Sequence, residues 1–316
     1  MVVNNHNKLS IVLMSILILA MFLSACGSKD SENTGNAEEK VVTDSMGHQV
    51  TIPANPQRVI ASYLEDHLTA LGVKPAAQWS VANGIQDYLQ SSGLEGIPKI
   101  GYDLPVEQVM SFSPDLIIVS SESSVAKDKY DQLSKIAPTY VLGDAVAKDW
   151  RAALKQIGEL LNKSDEAAKA VEAYEAKAAE AKAKLEQAAG GQSAAALWLV
   201  ANTFYIVDAE SASGKVLYED LGLKQPNVVA EMPDNQTADW NKISLEKLAE
   251  LDADHIFLVN SDQAAADSVL NDSTWKNLPA VKAGHLYELP ATSSWLYSGS
   301  IANAQTIDDV LAHLVK

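Results

Sequence analysis

Apolar residues recur along this chain with two different periods, and the change of period marks out its elements. Trp150, Ala153, Leu154, Ile157, Leu160 and Leu161 fall on one stripe at helical spacing, which predicts an amphipathic helix. Asn162-Lys163 interrupts the stripe. Ser164 is the expected N-cap of a second helix, with Asp165 and Glu166 in its first turn, where the helix dipole favours negative charge. That helix runs through AAKAVEAYEAKAAEAKAKLEQAA, rich in the best helix formers, and stops at Gly190-Gly191. At ~1.5 Å per residue, about 25 residues make a rod of ~37 Å. It has few apolar anchors besides Val171, Tyr174 and Leu185, and no sustained heptads. It is therefore expected to lie across a domain or bridge two, not to form a free coiled coil.

On either side of the rod, short apolar runs alternate with helical patterns. RVIAS, PAAQW, IPKI, DLIIVS and TYVL precede it; AAALWLV, TFYIVD, HIFLV and HLYEL follow. Such alternation predicts mainly parallel sheets. The two flanks also resemble each other. VEQVMSFSPDLIIVSS (106–121) aligns with LEKLAELDADHIFLVNS (245–261), placing Glu107 on Glu246 and Asp115 on Asp254. TALGVKP and YEDLGLKQP share a helix ending at Gly72 or Gly222, with a proline soon after. The fold class read from this is α/β, with two Rossmann-like lobes of mainly parallel strands joined by one long rigid helix. The lobes are expected over 41–148 and 191–316, with the helical segment at 149–190. In such sheets ligands bind beyond the carboxyl ends of the strands.

The amino-terminal 40 residues follow neither period. Lys8 precedes a thirteen-residue apolar run, Ile11 to Leu23, broken only by Ser15. A membrane-spanning helix needs about 20 residues, so the run reads as an export signal over residues 1–25. It ends in Leu23-Ser24-Ala25-Cys26, which looks like a bacterial lipobox, and Cys26 is the single cysteine in the chain. A lone cysteine cannot staple an exported fold internally, so lipidation of Cys26 is the expectation. Residues 27–40, GSKDSENTGNAEEK, contain no large apolar side chain and read as a tether. The body is expected at the outer face of a cell membrane, held by lipid. Without the signal, 23 basic residues face 41 acidic ones, a net charge of −18, which disfavours nucleic acid or an anionic surface as partner.

The body opens with VVTDSMGHQVTIPANPQRVIAS, a hairpin turning at Ser45-Met46-Gly47 and a proline-bounded link into the first core strand. Together with the lipobox, the Pro53-x-x-Pro56-x-Arg58-Val59 run, the paired Glu107 and Glu246 segments and the rod, the chain resembles the iron–siderophore-binding lipoproteins of ABC importers. That group also includes vitamin B12 and haem binders. The resemblance spans Val41 to Lys316. It implies two lobes across a shallow cleft, little opening, no cofactor, and capture of a ferric siderophore by a monomer. It also implies one glutamate on each lobe, Glu107 and Glu246, docking on the permease.

The cleft that this resemblance implies draws candidates from the strand ends: Tyr63, Trp79, Tyr102 and Ser121 (within Ser120–Ser124) in the first lobe, and Trp198, Tyr205, Trp240, Trp295 and Tyr297 in the second. Trp295 and Tyr297, in the loop TSSWLYSG, stand out, with Gly299 giving that loop freedom to bend. Trp150 and Trp275 read as core. The chain has two arginines, Arg58 in the link to the first strand and Arg151 in the rod region. Relatives that take anionic catecholates or citrate complexes usually present clustered cations. An aromatic, hydroxyl-lined cleft instead suits a neutral or cationic ferric hydroxamate, although Lys99 could still reach it.

Vitamin B12, haem, ferric citrate and ferric catecholate are the alternative ligands. A bare zinc or manganese site would need about three histidines with a carboxylate, and of His48, His67, His255, His285 and His313 only His67 is well placed. No G-x-S-x-G, P-loop or G-x-G-x-x-G pattern points to an enzyme.

Overall fold

The structure, a computed structural model, describes residues 38–82, 84–126, 128–233, 238–262 and 269–315. Cys26 and the export and lipidation signals lie outside these residues. Among the described residues no helix is long and apolar enough to cross a membrane.

The chain enters as a hairpin, β1 (Lys40–Thr43) and β2 (Gln49–Ile52), with Lys40 opposite Ile52. Its turn is held by Asp44, which accepts the amides of Met46 and His48 at 3.0 and 2.8 Å. The first lobe then forms β3 (Val59–Ile60), β4 (Gln78–Ser80), β5 (Lys99–Gly101), β6 (Leu116–Val119) and β7 (Thr139–Val141). These pair in parallel, in the order β3-β6-β7 beside a separate β4-β5 pair. The second lobe carries β8 (Ala194–Val200), β9 (Thr203–Val207), β10 (Trp240–Ile243), β11 (His255–Asn260) and β12 (Leu286–Pro290), in the order β10-β9-β8-β11-β12. There β8, β11 and β12 are parallel, while β9 turns back on β8 through Ala201-Asn202, both at positive φ, as a two-residue hairpin demands. The β10 strand, WNKI, carries no apolar alternation, which is why the sequence pattern does not announce it.

The repeat seen in the sequence is also a repeat of hydrogen bonding. Asp115, just before β6, accepts the amides of Gln57 and Arg58 at 2.7 and 2.9 Å and so pins the start of β3. Asp254, just before β11, accepts the amide and hydroxyl of Ser193 at 2.7 and 2.9 Å and pins the start of β8. Each aspartate fixes the register of its parallel neighbour. Gly72 and Gly222, at φ 69° and 74°, end their helices in the left-handed region that a Cβ penalises.

The rod is Ser164–Ala189, 26 residues, or about 39 Å. Lys163, not Ser164, sits at its N-cap, and no side chain caps the first turn; the Lys163 ammonium instead pairs with Glu166 at 2.8 Å. Tyr174 and Leu185 are buried as expected, but the rest of the buried stripe is Ala167, Ala178, Ala181 and Ala189. These small residues let the rod lie close against the helices Trp150–Leu160 and Ser300–Leu314. Tyr174 donates to Asp220 at 2.6 Å, and Arg151 bridges Asp220 (3.0 Å) and Glu175. One core therefore runs through both lobes: Ile52, Val59 and Ile118 from the first, Trp150 and Leu185 between them, and Phe257, Ile307 and Val310 from the second side. A shared core of this kind resists relative motion of the lobes.

Candidate functional site

The strand ends of both lobes face a cleft of about 880 Å³. Six of the nine candidate side chains line it: Tyr63, Trp79 and Tyr102 from the first lobe, Trp198, Trp240 and Tyr297 from the second half of the chain. The rings form two groups. Tyr63 lies 5.1 Å from Trp79 and 6.0 Å from Tyr297, and Trp79 meets Tyr297 edge-on at 6.4 Å. Across the cleft, Trp198 stands edge-on to Trp240 at 6.2 Å. Edge-on and tilted pairs at these separations suit the ring quadrupoles.

Local structure explains each position. Trp198 is on β8 and opposes Tyr205 on β9 in register, so both rings share one face of the sheet. The Trp198 indole N–H donates to Ser261 Oγ at 2.9 Å, which leaves the serine's own proton free. Trp79 is on β4, its amide held at 2.6 Å by the buried carboxyl of Glu65. Burial pushes Glu65 up to about 8, against the pull of the Trp79 amide, so it is largely protonated at neutral pH. Tyr63 has a left-handed backbone, φ 66°, and so does Leu104 on the same wall, φ 51°. Such conformations concentrate at binding sites.

Three candidates lie elsewhere. Trp295 is a correction: it is fully buried, stacked on Phe257 at 4.6 Å, with its N–H donated to Asp309 at 2.8 Å. The serine-rich loop suggested exposure, but the short helical turn Ser294–Leu296 aims the indole inward and leaves Leu296 and Tyr297 on the cleft. Ser121 is not on the cleft surface, since its hydroxyl caps the turn Glu122–Val125 and bonds Ser123 and Ser124; its neighbours Ser120 and Ser124 line the wall. Tyr205 backs Trp198 at 5.3 Å and does not reach the cleft. Trp150 and Trp275 are core, as read. The sequence reading missed Ser62, Asp87, Leu104 and Ser261 on the lining, and Glu65 behind it.

Charge is distributed unevenly. Among the described residues Asp87 is the one charged side chain on the cleft, and no lysine, arginine or histidine lines it. Arg58 is spent on the carbonyls of Phe112 and Ser113, at the end of the Val106–Ser111 helix. Arg151 is tied into the rod, and Lys99 opens β5, at the far end of that strand from Tyr102. His67 is buried behind the wall, and that burial pushes it down to about 4, so it is neutral. Among the described residues no three His, Cys, Asp or Glu side chains converge as a metal site.

Glu107 and Glu246 occupy matching places, each exposed in the first turn of a short helix, Val106–Ser111 and Leu245–Leu248. Ser244 caps the second helix by accepting the Lys247 amide at 3.2 Å, and the Glu246 backbone amide, with help from the Ser244 hydroxyl, holds the Glu246 carboxyl below the usual carboxylate range.

The periplasmic binding protein sequence profile matches residues 62–292. The chain belongs to the periplasmic binding protein family. It is similar over 98% of its length to the iron(3+)-hydroxamate-binding protein YxeB of Bacillus subtilis, at 28% identity and 98% of that protein. It is 28% identical to the probable siderophore-binding lipoprotein YfiY of the same organism, over 96% of this chain and 98% of that one. Among solved structures, a FhuD fold-family component of a Fep/Fec-like ferrichrome ABC transporter from Bacillus subtilis superposes with a TM-score of 0.73. That match has 26% identity and covers 87% of this chain and all of the other. The family is one of substrate-binding proteins, not enzymes, and the fold is the two-lobed α/β arrangement read from the sequence.

Proposed function

We propose that this protein captures a ferric siderophore of the hydroxamate type in its interlobe cleft and delivers it to an ABC permease. The observation that carries the ligand class is the lining: six aromatic rings, four serines and a single carboxylate, with no cationic side chain among the described residues. A ferric tris-catecholate or citrate complex carries net negative charge. It would be stripped of water against a wall with no compensating charge, which is unfavourable. A neutral or cationic hydroxamate presents methylenes to the rings and carbonyl oxygens to hydroxyl donors, and any positive charge adds attraction to ring faces and to Asp87. The resemblance to a hydroxamate-binding relative supports the same reading.

Glu107 and Glu246 are the proposed docking contacts: two exposed acids, one per lobe, that would orient the body on a basic permease face. Cys26 is the proposed site of lipid attachment, on the strength of the Leu23-Ser24-Ala25-Cys26 motif and of a relative named as a lipoprotein.

Tryptophan fluorescence tests the ligand class, because Trp79, Trp198 and Trp240 all stand on the cleft. Titration with ferrichrome or ferrioxamine B is expected to quench emission at submicromolar to micromolar concentrations. Ferric enterobactin, ferric citrate, cobalamin and haem should leave it flat. Saturable quenching by the catecholate with none by either hydroxamate would refute the proposal.

A further inference from the structure

The last helix, Ser300–Leu314, follows β12 in the second lobe, yet its first turn is held by the first lobe. Asp66, fully buried in the helix Glu65–Ala70, accepts the amides of Ile301 and Ala302 at 3.2 and 2.9 Å. It also accepts the Tyr88 hydroxyl at 3.1 Å. A carboxylate at a helix N-terminus is favoured both by the free amides and by the helix dipole. Here the carboxylate comes from 235 residues away in sequence. The chain makes room for it at Gly299, where an added Cβ would lie 2.2 Å from Asp66 Cγ. Gly299 thus serves close approach, not the loop flexibility expected from sequence.

Tyr297 lies just before this junction. Its hydroxyl donates to the Ile85 carbonyl at 3.2 Å, and its ring packs on Tyr88 at 5.1 Å. A small apolar cluster of Tyr88, Leu89, Leu94 and Ala302, with Ile301 and Tyr297 at its edge, closes around the same point. Mechanically, Tyr297 therefore belongs to the first-lobe wall with Tyr63 and Trp79.

We propose that Asp66 is a positioning residue for the cleft: by gripping the first turn of the last helix across the lobe boundary, it fixes Tyr297 against the first-lobe rings and so sets ligand affinity without touching the ligand. This rests on the cleft being the ligand site.

The test compares D66A, D66N and a remote core control, L278A, which lies in a cluster of the second lobe that supplies no residue to the cleft lining. All are measured at a temperature where circular dichroism shows each fully folded, with ferrichrome as the probe. D66A is expected to raise the Kd at least tenfold, mainly through faster dissociation. D66N, which keeps one acceptor oxygen, should fall between D66A and wild type. L278A should stay within twofold of wild type despite its lower Tm. Amide hydrogen exchange should rise in D66A across residues 296–302, with protection elsewhere unchanged. If D66A binds ferrichrome as wild type does, the proposal is overturned. If wild type binds no ferrichrome, the ligand reading has failed; unchanged protection of Ile301 and Ala302 in D66A would then overturn the latch itself. Should D66A not fold, G299A displaces the same carboxylate from the other side and is read in the same way.

Discussion

Trp198 and Trp240 stand on the ladder of a five-stranded sheet, whereas Tyr63, Trp79 and Tyr102 stand on or beside strands of two or three residues. On the second-lobe side, cross-strand pairing sets where the rings point: Trp198 opposes Tyr205, and Trp240 opposes Val207. On the first-lobe side, little backbone pairing is available, and buried side chains take over. Glu65 holds the Trp79 amide, and Tyr63 sits in a left-handed conformation that costs an L-residue on the order of 1 kcal/mol. One wall is positioned by the sheet, the other by a polar layer behind it. Substitutions should therefore act differently on the two sides.

The largest effect is expected where a ring belongs to neither wall. Trp295→Ala removes a fully buried indole and leaves Asp309 without its donor, so thermal or urea unfolding should show a loss of about 3–5 kcal/mol. Trp295→Phe keeps most of the packing on Phe257; its Kd for a ferric hydroxamate should stay within twofold of wild type. A large affinity loss in the phenylalanine variant would put Trp295 back among the contact residues.

Next come the walls themselves. Trp198→Ala should weaken ferric hydroxamate binding by roughly 2 kcal/mol, about thirtyfold, from the lost apolar contact. It also frees Ser261 and unlocks Tyr205. Trp79→Ala should cost less, nearer tenfold, because Tyr63 and Tyr297 remain in contact with each other. Isothermal titration of the two variants gives the ordering directly, and a larger loss at Trp79 would reverse the assignment of the fixed wall.

The polar layer behind the first wall has a pH signature. Glu65 rises on folding from an ordinary carboxyl value to about 8. The native state therefore holds that proton more tightly than the unfolded chain does. Its contribution is fully present below about pH 4.5 and is lost as pH rises through 8. Two neighbours act only at lower pH: Asp66 is raised to about 6, and His67, lowered to about 4, favours the native state only as pH climbs from 4 towards 6.5. Between pH 6.5 and 8, Glu65 is the member of this trio that still titrates. Wild-type stability should fall there by roughly 2 kcal/mol, at about 1.4 kcal/mol per pH unit, and Glu65→Gln should flatten the slope. An unchanged slope in the glutamine variant would mean that Glu65 is ionised at neutral pH.

How much of this was legible in the sequence follows the same division. The ladder, the rod and the repeat are written in apolar periodicity and in glycine placement; Tyr63 and Trp79 were found because they follow apolar runs, and Trp198 because it sits within one. The polar layer was not legible. SYLEDHL carries three adjacent polar residues and no apolar period that shows Glu65, Asp66 and His67 to be buried; their partners come from far along the chain, Trp79 for Glu65, Ile301 and Ala302 for Asp66, and the Trp150 backbone for His67. Trp295 was misplaced for a related reason. Its loop is rich in serine, and nothing local signals that Asp309, one helix later, meets its indole nitrogen. The alanine stripe of the rod was invisible to a search for large anchors, since close helix packing selects small side chains.

The smallest effect on affinity is expected at the two exposed glutamates that stand off the cleft lining. Glu107 and Glu246 share a sequence pattern and a place in the first turn of a helix, but their surroundings differ. Next to Glu246, Lys247 is paired with Glu231 and Glu250 at 2.8 and 2.7 Å, whereas the helix of Glu107 exposes Met110. Neither glutamate lines the cleft, so Glu107→Gln and Glu246→Gln should leave the Kd for a ferric hydroxamate unchanged. Both should instead reduce uptake of the iron complex by cells that carry the importer, with a larger gap from wild type at low salt, because exposed charges steer encounter most strongly when screening is weak. Normal uptake with the double glutamine variant would confine both carboxylates to stabilising their own helices through the dipole, a contribution of about 0.3–1 kcal/mol each.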